Sequence, residues 1–276
     1  MIEHADTIRL GLFLAVLAIV AGAEALMPRR GRSLPRARRW PGNLGIVVLN
    51  AGLLRILLPV GALGLAALAE ARGWGLLNAT ALPDWLRVVL AVVLLDLAIY
   101  LQHVMFHAVP ALWRLHRMHH ADLDFDVTTG ARFHPIEILL SALLKLAVVG
   151  ALGAPALAVL VFEVLLNATA MFNHANLALP TALDRVLRWA VVTPDMHRVH
   201  HSVVPAETNS NFGFNLPWWD RLLGTYRAQP AAGHVDMTIG IAAFRDPREQ
   251  RLDRMLLQPF LGPEDATPIN RRAPIA

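Results

Sequence analysis

The chain has 276 residues, of which 55% are hydrophobic and 17% charged, with a formal net charge of +4 and a positive mean hydropathy. This composition excludes an ordinary soluble enzyme and points to a membrane protein. The absence of cysteine excludes disulfides and thiolate metal sites, and the basic residues are not interleaved with aromatics as a nucleic-acid surface requires.

Apolar runs set the expected elements. Residues 8–27, 44–69 and 86–106 are each close to the ~20 residues that a helix needs to cross the hydrocarbon core. The run 136–173 is about twice as long and is broken by Gly150, Gly153 and Pro155, which predicts a helical hairpin. The first run follows Glu3 and Asp6 instead of a basic stretch, so it reads as an anchor and not a cleaved signal. The loop 28–43 holds Arg29, Arg30, Arg32, Arg36, Arg38 and Arg39, which places it in the cytoplasm by the positive-inside rule. The N-terminus then lies outside, and five crossings put 103–135 and everything after 174 at the cytoplasmic face. The expected fold is therefore an all-α integral membrane bundle of four to five helices with a cytosolic, histidine-rich helical cap.

Three regions follow: an N-terminal membrane anchor with its basic loop (1–82), a histidine-bearing region (83–228) and an amphipathic or loosely ordered tail (229–276). Within the tail, the segment after 246 reads as an interfacial helix and the proline-containing end beyond 262 as loosely ordered.

Ten of the twelve histidines fall between 103 and 201. They form one HxxxH (His103, His107), two HxxHH motifs (His116, His119, His120 and His197, His200, His201), and the intervening His134 and His174. Residues three and four apart share a helix face, so each motif aims several imidazoles at one place. Ten imidazoles exceed the four of a closed zinc site and predict two ions. Imidazole binds iron, zinc, copper and nickel, so the ligand type alone does not choose the metal. His134 reads either as a ligand or as an outer hydrogen-bond donor, whereas His4 and His234 read as ordinary surface residues. Metal-bound histidines pass their other ring nitrogen to a carboxylate or carbonyl, and the candidates for that role are Asp122, Asp195 and Asp96. Asp195 also reads as a helix cap in Thr193-Pro194-Asp195, and Asp96, an acid within an apolar run, as the partner of an arginine.

The motifs Trp113-Arg114-Leu115-His116-Arg117-Met118-His119-His120, Arg132-Phe133-His134-Pro135-Ile136-Glu137, His174-Ala175-Asn176, Thr193 to His201, Asn209-Ser210-Asn211-Phe212-Gly213 and Trp219 to Tyr226 resemble the fatty acid hydroxylase/sterol desaturase superfamily over roughly residues 90–228. The resemblance implies a non-haem di-iron centre that uses O2 to oxidise an unactivated C–H bond of a lipid. Its members act on sterols, fatty acyl chains, ether lipids and carotenoids, so it does not name the lipid. Some fatty acyl hydroxylases carry a paired histidine where this chain has Ala170, which leaves His134 as a candidate replacement ligand.

Two imidazole-bound iron ions would supply the oxidation, with zinc as a substitute that the same ligands accept. No nucleotide fingerprint accompanies them, since Gly150 to Gly153 lies in an apolar hairpin. Electrons must come from a separate ferredoxin, cytochrome or reductase. Trp219 reads either as an interfacial anchor or as the border of a substrate entrance. The competing functions are a dinuclear zinc metallohydrolase of lipids and a metal transporter, although a transporter places its ligands near the bilayer midplane.

Overall fold

A computed structural model describes residues 4–262 and residue 269; the rest of the proline-containing end lies outside the described residues. The helices are α1 (Ala5–Leu26), α2 (Arg36–Leu57), α3 (Gly61–Arg72), α4 (Asp84–Ala108), α5 (Pro110–His120), α6 (Pro135–Leu152) and α7 (Ala156–Asn173). They are followed by α8 (Thr181–Leu187), α9 (Pro194–His200), α10 (Pro205–Thr208), α11 (Trp218–Leu222), α12 (Gly233–Asp236) and α13 (Leu252–Leu257). Among the described residues the only β pairing is two isolated bridges. Five stretches are long and apolar enough to cross a membrane: Ala5–Leu26, Arg36–Ala79, Asp84–Ala108, Pro135–Leu152 and Ala156–Asn173. The chain is an all-α integral membrane bundle.

The hairpin forms where the glycines and proline predict it. Gly153 ends α6 in the left-handed region at φ 60°, which costs glycine little, and Pro155 opens α7 from the N-cap position. The second apolar run is not one helix. It breaks at Leu58, whose φ of −131° and ψ of 62° reflect the clash that the following Pro59 imposes on a helical neighbour. The basic loop is also shorter than expected, because α2 already begins at Arg36.

Helix α7 packs against α1, α3 and α4, while α6 packs against α2, α3 and α4. Ala66, Ala91, Ala158 and Val159 are fully buried at these contacts, and such small side chains let membrane helices approach closely. At one end of the bundle, the last turns of α1 and α7 and the first turns of α2 and α6 meet the loop 121–134. Glu24, near the end of α1, accepts the backbone N–H of Val127 at 2.7 Å and of Asn176 at 2.9 Å, together with Arg36 at 2.8 Å.

Most of the arginine cluster turns inward instead of forming a basic surface. Arg29 pairs with Asp195 at 3.1 Å, Arg30 donates to the Met237 carbonyl at 2.7 Å, and fully buried Arg39 bridges Asp122 and Asp126, both at 2.6 Å. The segment after 246 is a short 3-10 turn followed by α13. Helix α13 lies on α2 and buries Met255 completely.

Candidate metal centre

Nine of the expected histidines come together in two buried groups. His103, His107, His116, His120 and His200 form one, and His119, His174, His197 and His201 form the other, with one ligand nitrogen per residue and all such atoms in a group within 4.8 Å of one another. Helical geometry explains the division. A residue four positions on is displaced by about 40° around the helix and one three positions on by about 60° in the opposite sense. His116 and His120 of α5 therefore face one group while His119 faces the other. At α9 the split is reversed, with His197 and His201 in the four-histidine group and His200 in the five-histidine group. Pro110 and Pro194 occupy the first turns of α5 and α9, and Thr193 Oγ1 caps α9 by accepting the Met196 N–H at 3.4 Å.

Hydrogen bonds at Nδ1 fix how six of these rings point, while the Nδ1 atoms of His120, His197 and His201 have no partner among the described residues. His103 Nδ1 lies 2.8 Å from the Phe212 carbonyl, His200 Nδ1 2.8 Å from that of Ser210, His119 Nδ1 3.2 Å from that of Arg132 and His174 Nδ1 2.7 Å from that of Ala170. His116 Nδ1 meets Glu137 Oε1 at 2.6 Å, and His107 Nδ1 meets Asn209 Oδ1 at 3.2 Å. A carbonyl or carboxylate oxygen only accepts, so these Nδ1 atoms carry the proton and each Nε2 presents a bare lone pair.

Those lone pairs converge. His103 Nε2 and His116 Nε2 are 3.1 Å apart, and His174 Nε2 lies 3.2 Å from His119 Nε2 and 3.1 Å from the Nε2 atoms of both His197 and His201. One nitrogen cannot hydrogen-bond three others, and lone pairs aimed at one another repel. Two imidazoles on one ion at the usual metal–nitrogen length of about 2.1 Å stand roughly 3.0–3.4 Å apart, which is the observed spacing. The Nε2 atoms of His107, His120 and His200 are also buried without a hydrogen-bond partner among the described residues, a costly arrangement unless a cation completes it. The donor set therefore fits two divalent transition ions, one per group. Burial pushes the imidazoles of His116 and His174 down to about 3, and burial followed by neighbouring imidazoles lowers His119, His120, His197, His200 and His201 as well. All stay neutral, as metal ligands must be.

His134 joins neither group. It is the N-cap of α6, where Nδ1 accepts the Ile136 N–H at 3.2 Å and Nε2 lies 3.3 Å from the Leu256 carbonyl, so both ring nitrogens are engaged. His134→Ala is expected to leave metal content unchanged and to cost about 1 kcal/mol of stability for the lost cap. Elemental analysis beside a melting curve checks both, and a lost metal would make His134 a ligand.

The three aspartates also differ from expectation. Asp122 is taken by Arg39, Asn43 and Thr129, Asp195 by Arg29 and Arg198, and Asp96 by the Trp219 indole at 2.8 Å and the Leu216 N–H at 3.3 Å. Among the described residues, none of the three hydrogen-bonds one of the nine grouped imidazoles. His234 is buried, not superficial, with Nε2 3.6 Å from Asp195. The carboxylate that does reach a ligand is Glu137, which the sequence reading passed over. Its signal was an acid in the first turn of a largely apolar helix whose one other charge is Lys145.

A cavity of about 240 Å³ lies beside the five-histidine group. Ile99, Phe106, Phe133, Leu166 and Phe214 line it, and His103 and His116 form part of its wall. Its exposed lining residues, Ala51 on α2 and Asn167 on α7, belong to stretches apolar enough to span a membrane.

The family model described as fatty acid hydroxylase matches residues 88–225, which include all nine grouped histidines. Ornithine lipid hydroxylase OlsE of Rhizobium tropici is 31% identical over 83% of this chain and 70% of its own length. The chain belongs to the fatty acid hydroxylase family. Among more distant relatives, alkylglycerol monooxygenase of Xenopus tropicalis is 28% identical over 68% of this chain and 42% of its own length. Cholesterol 25-hydroxylase of Rattus norvegicus is 27% identical over 52% of this chain and 47% of its own length. The chain thus spans less than half of these two family members. No solved structure matches it.

Proposed function

We propose that the chain is a membrane-bound, O2-dependent oxidoreductase that holds two iron ions and hydroxylates or desaturates a bilayer lipid. The observation that carries this reading is the pairing of two converging sets of imidazole lone pairs with an apolar cavity that reaches one of them. When bound, two iron ions would supply the redox chemistry with O2 that an unactivated C–H bond demands. The protein's share is positioning. Ile99, Leu166 and Phe214 offer a lipid chain an apolar bed, and His103 and His116 bring the five-histidine group to the wall against which the target carbon would lie. The relatives are named for ornithine lipid, alkylglycerol and cholesterol, and all of these substrates reach an enzyme through the bilayer. Electrons come from a separate carrier, and the histidine end of the bundle faces the cytoplasm with the N-terminus outside.

The test is to purify the protein from iron-supplemented cells, measure its iron and zinc, and supply reductant, O2 and a lipid extract. Products heavier by one oxygen or lighter by two hydrogens are expected. Stoichiometric zinc with hydrolysis products and no O2 uptake would replace this reading with a dinuclear hydrolase. Ser141→Phe, which puts a ring into the cavity at a position that is not itself one of the grouped histidines, should lower product formation on the order of 10²-fold, as misplaced substrate does, while both metals remain.

A further inference from the structure

The two histidine groups differ in what holds their rings. In the four-histidine group only His119 and His174 have Nδ1 partners among the described residues, and these lie on separate segments, Arg132 O and Ala170 O; the Nδ1 atoms of His197 and His201 are buried without one. In the five-histidine group one segment, Asn209–Gly213, serves three of the five. Asn209 Oδ1 meets His107, Ser210 O meets His200 and Phe212 O meets His103, at 3.2, 2.8 and 2.8 Å.

That segment has little regular hydrogen bonding of its own, so its shape depends on side chains. Fully buried Asp220 accepts the Phe212 N–H at 2.7 Å, the Gly213 N–H at 2.9 Å and the Thr225 hydroxyl at 2.7 Å. A Cβ on Gly213 would lie 2.8 Å from Asp220 Oδ2 and 2.9 Å from the Leu216 carbonyl, so this approach requires glycine. Asn211 adopts a left-handed φ of 52° and donates to the carbonyls of Met196 and Arg227, both at 2.8 Å. Beyond Gly213, Asn173 Nδ2 donates to the Phe214 carbonyl at 2.9 Å, and Asp96 of α4 holds Leu216 and Trp219. The acid within α4 therefore tethers the chain just beyond this segment to the bundle. Asn211, with its φ in a region that non-glycine residues seldom occupy, is the kind of local strain that persists when surrounding contacts over-determine it.

We propose that Asn209–Gly213, pinned by Asp220, is a strap that keeps the substrate-facing five-histidine centre in metal-binding geometry, and that the four-histidine centre does not depend on it. Asp220 is then a positioning residue that acts through two backbone N–H groups on the carbonyl beside them. The proposal rests on the reading that each group holds one metal ion, and metal content tests the two separately.

The experiment compares full-length wild type, Asp220→Ala and Asn209→Ala, each loaded with ferrous iron, by elemental analysis and chelator titration. Wild type should hold two ions per chain. Asp220→Ala should hold one, accompanied by a mononuclear high-spin ferric EPR signal after oxidation. Asn209→Ala removes one outer partner and should weaken one of the two ions by 10–100-fold, the usual loss for such a partner, while Asn209→Asp, which keeps an acceptor oxygen, should restore it. Combining Asp220→Ala with His174→Ala should remove both ions, because the two changes strip different centres. If wild type binds no metal, the functional reading fails along with the strap. If wild type binds two ions but Asn209→Ala holds both at wild-type affinity, or the double variant still retains one, the strap alone is overturned.

Discussion

His174→Ala is expected to release one metal ion per chain, leave the other in place and reduce lipid oxidation by at least about 10²-fold. His174 is the hub of its group, since its Nε2 stands 3.1–3.2 Å from three other ligand nitrogens. Removing an outer partner of a ligand already costs 10–100-fold in affinity, and loss of the ligand itself must cost more. The five-histidine group shares no ligand with this one, so its ion should persist. Iron per chain and reductant-dependent O2 uptake, measured on the same sample, check the two halves of the expectation. Retention of both ions would mean that His174 is not a ligand. Loss of both, with the helical signal intact, would mean that the two centres form one cooperative unit.

The spans were legible in the sequence because twenty consecutive apolar residues have few other uses, and the hairpin because Gly153 and Pro155 stand where a chain must reverse. The histidine motifs were legible because helix periodicity puts residues three and four apart on one face. Their division into two groups was not, because it depends on how α5 and α9 lie across each other, which is a tertiary fact. The outer partners were the least visible. Phe212, Ser210, Arg132 and Ala170 contribute carbonyl oxygens, a group that every residue carries and that leaves no mark in composition. Aspartates near the motifs looked like the natural partners for imidazole, yet buried Arg39 from α2 claimed Asp122, and half-buried Arg29 together with neighbouring Arg198 claimed Asp195. Glu137 could have been found by the same rule that drew attention to Asp96, that an acid in a membrane helix has a reason to be there. Arg39 was hidden for a related reason: as one of six arginines in a short basic stretch it read as part of a charged loop, and only the fold sends it inward.

Arg39→Met is therefore expected to destabilise the protein by about 3–5 kcal/mol, the range for breaking a buried ion pair from one side. The guanidinium meets Asp122 through two nitrogens at 2.6 and 2.7 Å and Asp126 at 2.6 Å, and all three side chains are buried. Arg132, also buried, lowers Asp122 by its charge but directs its donors to the Met118 carbonyl, Asn43 and Gln250, so it does not replace the hydrogen bonds of Arg39. The pH dependence carries a sign that separates this cause from simple loss of packing. Burial alone would raise both carboxyls, but Arg39 beside them holds Asp122 well below the usual carboxylate range and lowers Asp126. Depressed values contribute stability that is fully present above the unfolded value of about 3.9 and is lost only as the pH falls further. Without Arg39, desolvation dominates and the same carboxyls bind protons more readily folded than unfolded. The variant's deficit should then shrink as the pH is lowered from 7 towards 5, whereas a packing defect would stay constant. Denaturant unfolding of both proteins in one detergent across that range decides it. Asp122 and Asp126 flank the turn that leads from His120 to Arg132, whose carbonyl holds His119. The same variant should therefore lose metal from the four-histidine centre more readily than wild type under conditions where both remain folded.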